Sequence, residues 1–244
     1  MVLLRFRAEL RRVRRRDLLL CGLSGVLLAL HFATWFESLK WTSIASSTVL
    51  VSTEVIFTAL GFALFLHGKI PRLGVWAILL AFGGSALLAL SGGGGAGELS
   101  GNLLALAAAS AAAVYTLIGR IQRGHLSTTV YTFLTYLACF LTLLLGTAAA
   151  GTPLTGYGGR EWLIGLALAV LCTLLGHSLF SWCLKYLSPS FVSAAKLCEP
   201  VFSSLAAIPL FGEVPGPLQL AGGAAVLGAV LLYTWAEREK TPAG

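Results

Sequence analysis

Charge is what this sequence has least of. Asp, Glu, Lys and Arg make up 11% of its 244 residues, against about 25% in soluble domains. Hydrophobic residues make up 57%, and the mean hydropathy is +0.86. No stretch is polar and long enough for a separate soluble domain. Paired cysteine spacing is absent too: Cys21, Cys139, Cys172, Cys183 and Cys198 all fall in apolar runs. That excludes a disulfide framework and a zinc site and leaves them as small hydrophobes. No metal or cofactor is expected. The chain has no H-E-x-x-H, no G-x-S-x-G and no phosphate loop, so it carries no hydrolase or nucleotide-driven signature, and an enzyme is not expected. No small-residue cleavage site ends a short apolar core, so no cleaved leader is expected either.

What the chain has is apolar length. Eight segments approach the roughly 20 residues that span a bilayer as a helix: 18–38, 43–66, 73–91, 100–120, 128–150, 162–184, 190–211 and 216–236. The fold class predicted is all-α, a polytopic membrane helical bundle of eight transmembrane helices. The net charge of +7 comes largely from seven arginines between Arg5 and Arg16. A basic stretch directly before a span contacts anionic lipid on the cytoplasmic side, so nucleic acid is not the expected partner; the bilayer is. With the N-terminus in the cytoplasm, 14 Lys and Arg fall inside and 2 outside, with Lys196 in a span. The expected topology is multi-pass in the cell membrane with both termini cytoplasmic.

The chain repeats itself at an offset of 145 residues. Leu39–Phe57, LKWTSIASSTVLVSTEVIF, aligns without a gap on Leu184–Phe202, LKYLSPSFVSAAKLCEPVF. Lys40 then meets Lys185, Ser43 meets Ser188 and Glu54 meets Glu199. The two copies cross the membrane in opposite directions, as in inverted-repeat transporters whose substrate site lies near the midplane. The expected organisation is a basic segment (1–16), a partial first repeat of three helices (17–91), a Gly-rich external linker (92–99), a second repeat of five helices (100–236) and a tail (237–244). Gly92, Gly94 and Gly97 satisfy G-x-G-x-x-G, but after a membrane helix, not a strand, they read as linker. The first three spans match the last three, so spans four and five lack counterparts before span one; the first two helices of a five-plus-five repeat are expected to be missing, and Met1–Leu4 read as the last turn of an absent helix.

Glu54 and Glu199 each place a carboxylate within an apolar span. Such a residue costs on the order of 2.5–3.5 kcal/mol at a helix centre and should face the bundle interior or a wet cavity. Lys196 stands three residues before Glu199, on the same helix face. Either those two form an intrahelical ion pair that makes both tolerable, or Lys196 meets an anionic substrate group while a glutamate carries a proton. Pro200 lacks an N–H and frees a carbonyl one turn back. His31 with Trp35, and His177 with Ser181, share faces four residues apart; the histidines read equally as substrate or proton groups and as hydrogen-bonded packing. Rows of small residues (Ala77, Ala81, Ser85 and Ala89; Ala105, Ala109 and Ala113) read as close helix packing. Thr128, Thr129, Thr132, Thr135 and Thr142 read as backbone-bonded or cavity-facing.

LALHFATWFESLKWTSIASSTVLV, KLCEPVFSSLAAIPLFGEVP and AAAVYTLIGRIQR together resemble the EamA-type permeases of the drug/metabolite transporter superfamily, over nearly the whole chain. Glu199–Pro200 followed by Gly212 and Glu213 is similar to that family's late-repeat pattern. The resemblance implies ten spans in two inverted five-helix repeats, so this chain departs by lacking the first two. It also implies a secondary transporter in a bacterial inner membrane, exporting a small metabolite or drug-like solute by alternating access. The alternative is a truncated fragment that is inactive or needs a partner. The sequence does not fix the number of copies; a dimer is one arrangement.

Overall fold

The computed structural model describes residues 2–42, 47, 50–90, 99–199, 201–202 and 216–238. Ser43, the glycines of the linker, Pro200, Gly212 and Glu213 lie outside them. The regular elements among the described residues are all helices: α1 (Val2–Leu10), α2 (Arg15–Trp41), α3 (Glu54–Phe65), α4 (Arg72–Leu90), α5 (Leu99–Gln122), α6 (Thr128–Ala149), α7 (Gly159–Ala167), a π-helical stretch (Leu168–His177), α8 (Ser178–Cys183), α9 (Pro189–Lys196) and α10 (Pro217–Arg238). Among the described residues, four helices are long and apolar enough to cross a membrane: Arg15–Trp41, Leu99–Gln122, Thr128–Ala149 and Gly159–Cys183. The last exposes Leu163, Leu166, Leu171, Leu174 and Leu179. In water that surface would invite aggregation, whereas in hydrocarbon it is solvated, and the helix satisfies its own backbone. The molecule is a polytopic membrane bundle.

Two compact units divide the chain. The first comprises Met1–Leu30 with Val114–Ser188, the second His31–Ala113 with Pro189–Gly244. In the first, Cys21, Leu126 and Tyr131 form a small buried cluster backed by Val13 and Leu134. The Tyr131 hydroxyl, fully buried, shares a 2.7 Å hydrogen bond with Ser24 Oγ. Tyr131→Phe is expected to lower stability by about 1–3 kcal/mol, because the Ser24 hydroxyl is then left without its partner in a dry site. Adding Ser24→Ala should recover most of that loss in a thermal-unfolding scan of the detergent-solubilised protein.

The helix α1 runs from Val2 through Leu10, and two of its residues meet α6 and the residue that caps it. Phe6 meets Phe133 edge-on at 5.2 Å, and Glu9 Oε1 accepts the Ser127 N–H at 2.6 Å. Ser127 in turn caps α6, its hydroxyl accepting from Val130 N. Two arginines that count toward the topology also have structural work. Arg120 Nη1 donates to the carbonyls of Leu184 and Lys185 at 2.7 and 3.1 Å, and Arg123 Nε donates to Ser181 O at 2.9 Å. These are carbonyls that a helix C-terminus otherwise leaves unsatisfied. The threonines of α6 are partly backbone-bonded: Thr132 Oγ1 donates to Thr128 O and Thr142 Oγ1 to Ala138 O, each four residues back.

The second unit packs α3, α4, α9 and α10 around Val55, Ala77, Ala81, Leu197, Val226 and Tyr233. Small residues bring the backbones together: a Cβ on Gly84 would lie 2.8 Å from Gly222 O. Ala105 and Ala109 are completely buried, so this row serves close packing, as small-residue rows do in lipid. The side chains of Ser85 and Ala89 lie outside the described residues.

Candidate functional site

The two glutamate-bearing segments are both interrupted, and at corresponding places. Residues 50–52 are helical, Thr53 is a turn, and α3 starts at Glu54. In the other copy α9 stops at Lys196, and Leu197 and Cys198 form a turn before Glu199. Their N–H groups donate to Ala194 O and Ala195 O, three residues back, each at 3.1 Å. In the first copy the Thr53 N–H likewise donates to Leu50 O, three residues back, at 3.1 Å, so both helices tighten just before the glutamate.

These breaks place the charges where the helices favour them. Glu54 lies in the first turn of α3, the positive end of that helix dipole, and Lys196 in the last turn of α9, the negative end. Lys196 Nζ donates to Glu54 Oε1 at 2.7 Å, with both side chains largely buried. The intrahelical pair of Lys196 with Glu199 does not form. Glu54 is 8% exposed, so leaving it without its cation would be costly. No hydrogen bond joins Glu199 to another described residue, yet it stands within electrostatic reach of both Lys196 and Glu54.

His31 and Trp35 belong to the same unit. His31, 7% exposed, bonds Ala108 O through Nδ1 at 3.0 Å and lies within electrostatic reach of Glu54 and Lys196. Its ring stacks on Trp35 at 5.9 Å and 24°. Trp35 Nε1 is buried with no acceptor among the described residues. His177 belongs to the other unit, where it lies edge-on to Tyr115 at 6.1 Å. The structure thus gathers Glu54, Lys196, Glu199, His31 and Trp35 into one unit and His177 into the other. Two residues of the same unit that sequence reasoning passed over, Thr58 and Ser190, are fully buried, and their hydroxyls have no partner among the described residues. Thr58 could have been found, since it stands one turn after Glu54; Ser190 has no such signal. No group of three or more His, Cys, Asp and Glu among the described residues could hold a metal ion.

A helical membrane bundle with a buried ion pair between broken helices has the features of a secondary transporter. Residues 1–90 and 99–235 match the EamA-like transporter family, and the chain belongs to it. Among its relatives is the pseudopaline exporter CntI of Pseudomonas aeruginosa strain UCBPP-PA14, 24% identical over 207 residues, which are 85% of this chain and 72% of that protein. The threonine/homoserine exporter RhtA of Escherichia coli strain K12 is 27% identical over 204 residues, 83% of this chain and 68% of the exporter. A crystal structure of a protein 18% identical superposes with a TM-score of 0.70, covering 98% of this chain and 94% of that one; at that identity it supports the fold alone.

Proposed function

We propose that the protein exports a small zwitterionic solute of the amino-acid class by alternating access, and that Lys196 and Glu54 recognise its two charges. The 2.7 Å pair between two helix ends carries this reading. A solute with one carboxylate and one ammonium group replaces each partner in turn: its carboxylate takes Lys196, its ammonium takes Glu54, and no buried charge is left alone. The likeness to a threonine/homoserine exporter supports the solute class.

Glu199 carries the coupling proton. Two carboxylates and one ammonium leave one negative charge, so a single proton neutralises the cluster. The charge balance of 14 basic residues inside against 2 outside supports cytoplasmic termini, and the inverted 145-residue repeat supports rocking of one repeat against the other.

Reconstituted vesicles test the assignment. Glu54→Gln is expected to abolish both threonine counterflow and flux driven by a pH gradient. Glu199→Gln is expected to keep counterflow and lose the response to the gradient. Proton-coupled flux at the wild-type rate in either variant overturns the role of the residue replaced.

A further inference from the structure

A second polar site lies in the other unit. A cleft of about 460 Å³ opens beside the start of α2. Arg12, Arg14 and Arg16 line it, with Asp17, and Gln122 and His125 close it from the end of α5. Its carboxylates are already engaged: Asp17 Oδ1 lies 3.0 Å from His125 Nε2, and Glu9, also in the lining, holds the Ser127 N–H. The three guanidinium groups make no ion pair with a described residue. Donors therefore stand in surplus on one wall.

The opposite need is found on Gln122, which is fully buried. Its Nε2 donates to Asp17 O at 3.1 Å and lies 3.5 Å from Cys21 Sγ. That bond fixes which end of the amide is which, and it leaves Oε1, an acceptor, with no donor among the described residues. A ligand that satisfies this cleft must carry an anionic group for the arginines and an N–H for Gln122. Guanidinium matches phosphate oxygens in pairs, and an ammonium supplies the N–H.

We propose that this cleft binds an amine-bearing phosphate, namely the headgroup of a phosphatidylethanolamine-type lipid. The phosphate lies on Arg12, Arg14 and Arg16, and the ammonium points to Gln122 Oε1 beside Asp17. The lipid source follows from the apolar surface that continues from the cleft: Leu18 and Leu19, directly after Asp17, are 45% and 75% exposed, and Ile121 of the lining is 43% exposed. Acyl chains have a surface to run along there; a free phosphate ester has no use for it.

Phosphatidylcholine is the discriminating comparison, since it has the same phosphate and net charge but no N–H. Native mass spectrometry of the delipidated full chain, titrated with dimyristoyl lipids, should show one phosphatidylethanolamine bound about tenfold more tightly than phosphatidylcholine, the effect of one charge-assisted hydrogen bond. Gln122→Met should level the two lipids. Arg14→Gln with Arg16→Gln, at exposed positions that do not threaten folding, should weaken both about tenfold. Equal binding of the two lipids to the wild-type chain, or unchanged binding in the arginine double variant, overturns the proposal. O-phosphoethanolamine, which has no acyl chains, separates the sources: failure to compete assigns the cleft to lipid, and competition at equal affinity assigns it to a soluble phosphate ester and overturns the lipid part.

Discussion

Lys196→Met is expected to abolish transport and to cost about 3–5 kcal/mol of stability, the usual penalty for removing one partner of a buried ion pair. The loss comes mainly from what remains. Methionine fills much of the lysine's volume, but Glu54, 8% exposed at the head of α3, then has no cation 2.7 Å away. Glu54→Gln in the same chain should restore much of the stability, since an amide is far cheaper to bury than a carboxylate, while restoring no flux. Stability and transport therefore separate in the double variant. If the pair were only a structural clasp, the double variant would be both stable and active. Thermal unfolding in detergent, set beside threonine counterflow, reads both. A wild-type melting temperature for Lys196→Met alone would mean that the carboxylate finds another partner, and would sink the recognition role of the pair.

The pairing itself shows where sequence reading stops. Glu54 and Glu199 stand out in the sequence because a carboxylate in an apolar run is rare, and Lys196 for the same reason. Which carboxylate takes the ammonium depends on how the helices pack, and packing is a tertiary property. Spacing favours Glu199, three residues away; the fold favours Glu54, 142 residues away. The helix breaks were half legible. Pro200 marks a disturbance in one copy, but nothing in Ser52–Thr53 announces that α3 begins at Glu54. The π-helical stretch Leu168–His177 had no signal at all, since LAVLCTLLGH contains no proline and its apolar residues suit a helix of any pitch. There Tyr136 Oη donates to Thr173 O at 3.3 Å and bonds Ser178 Oγ at 3.1 Å, contacts that periodicity cannot express. Membership of the family was legible because it rests on long local patterns that survive without knowledge of the packing.

Gly25→Ala is expected to disrupt the first unit, whereas Gly22→Ala, one turn earlier on the same helix, is expected to be tolerated. A Cβ on Gly25 would lie 2.3 Å from Thr135 O, 2.5 Å from Ala138 Cβ and 2.8 Å from Cys139 N. Two of those atoms are backbone of α6, so no side-chain rotation relieves the clash; the helices must separate. Such overpacking costs about 1–3 kcal/mol, occasionally more, and the upper end applies because a moved α6 also strains the 2.7 Å bond between Tyr131 and Ser24. A Cβ on Gly22 meets nothing within 4 Å. There alanine only replaces a poor helix former by the best one, a gain of up to about 1 kcal/mol. The two substitutions add the same methyl to the same helix, so propensity and hydropathy cancel between them and only the closeness of α6 differs. Fluorescence-detected size exclusion of tagged variants, followed by thermal unfolding, should show Gly25→Ala with little monodisperse protein and a depressed melting point, and Gly22→Ala at or above wild type. Equal behaviour of the pair would mean that α2 and α6 are not held at this separation, and the buried contact of Tyr131 with Ser24 would lose its basis with it.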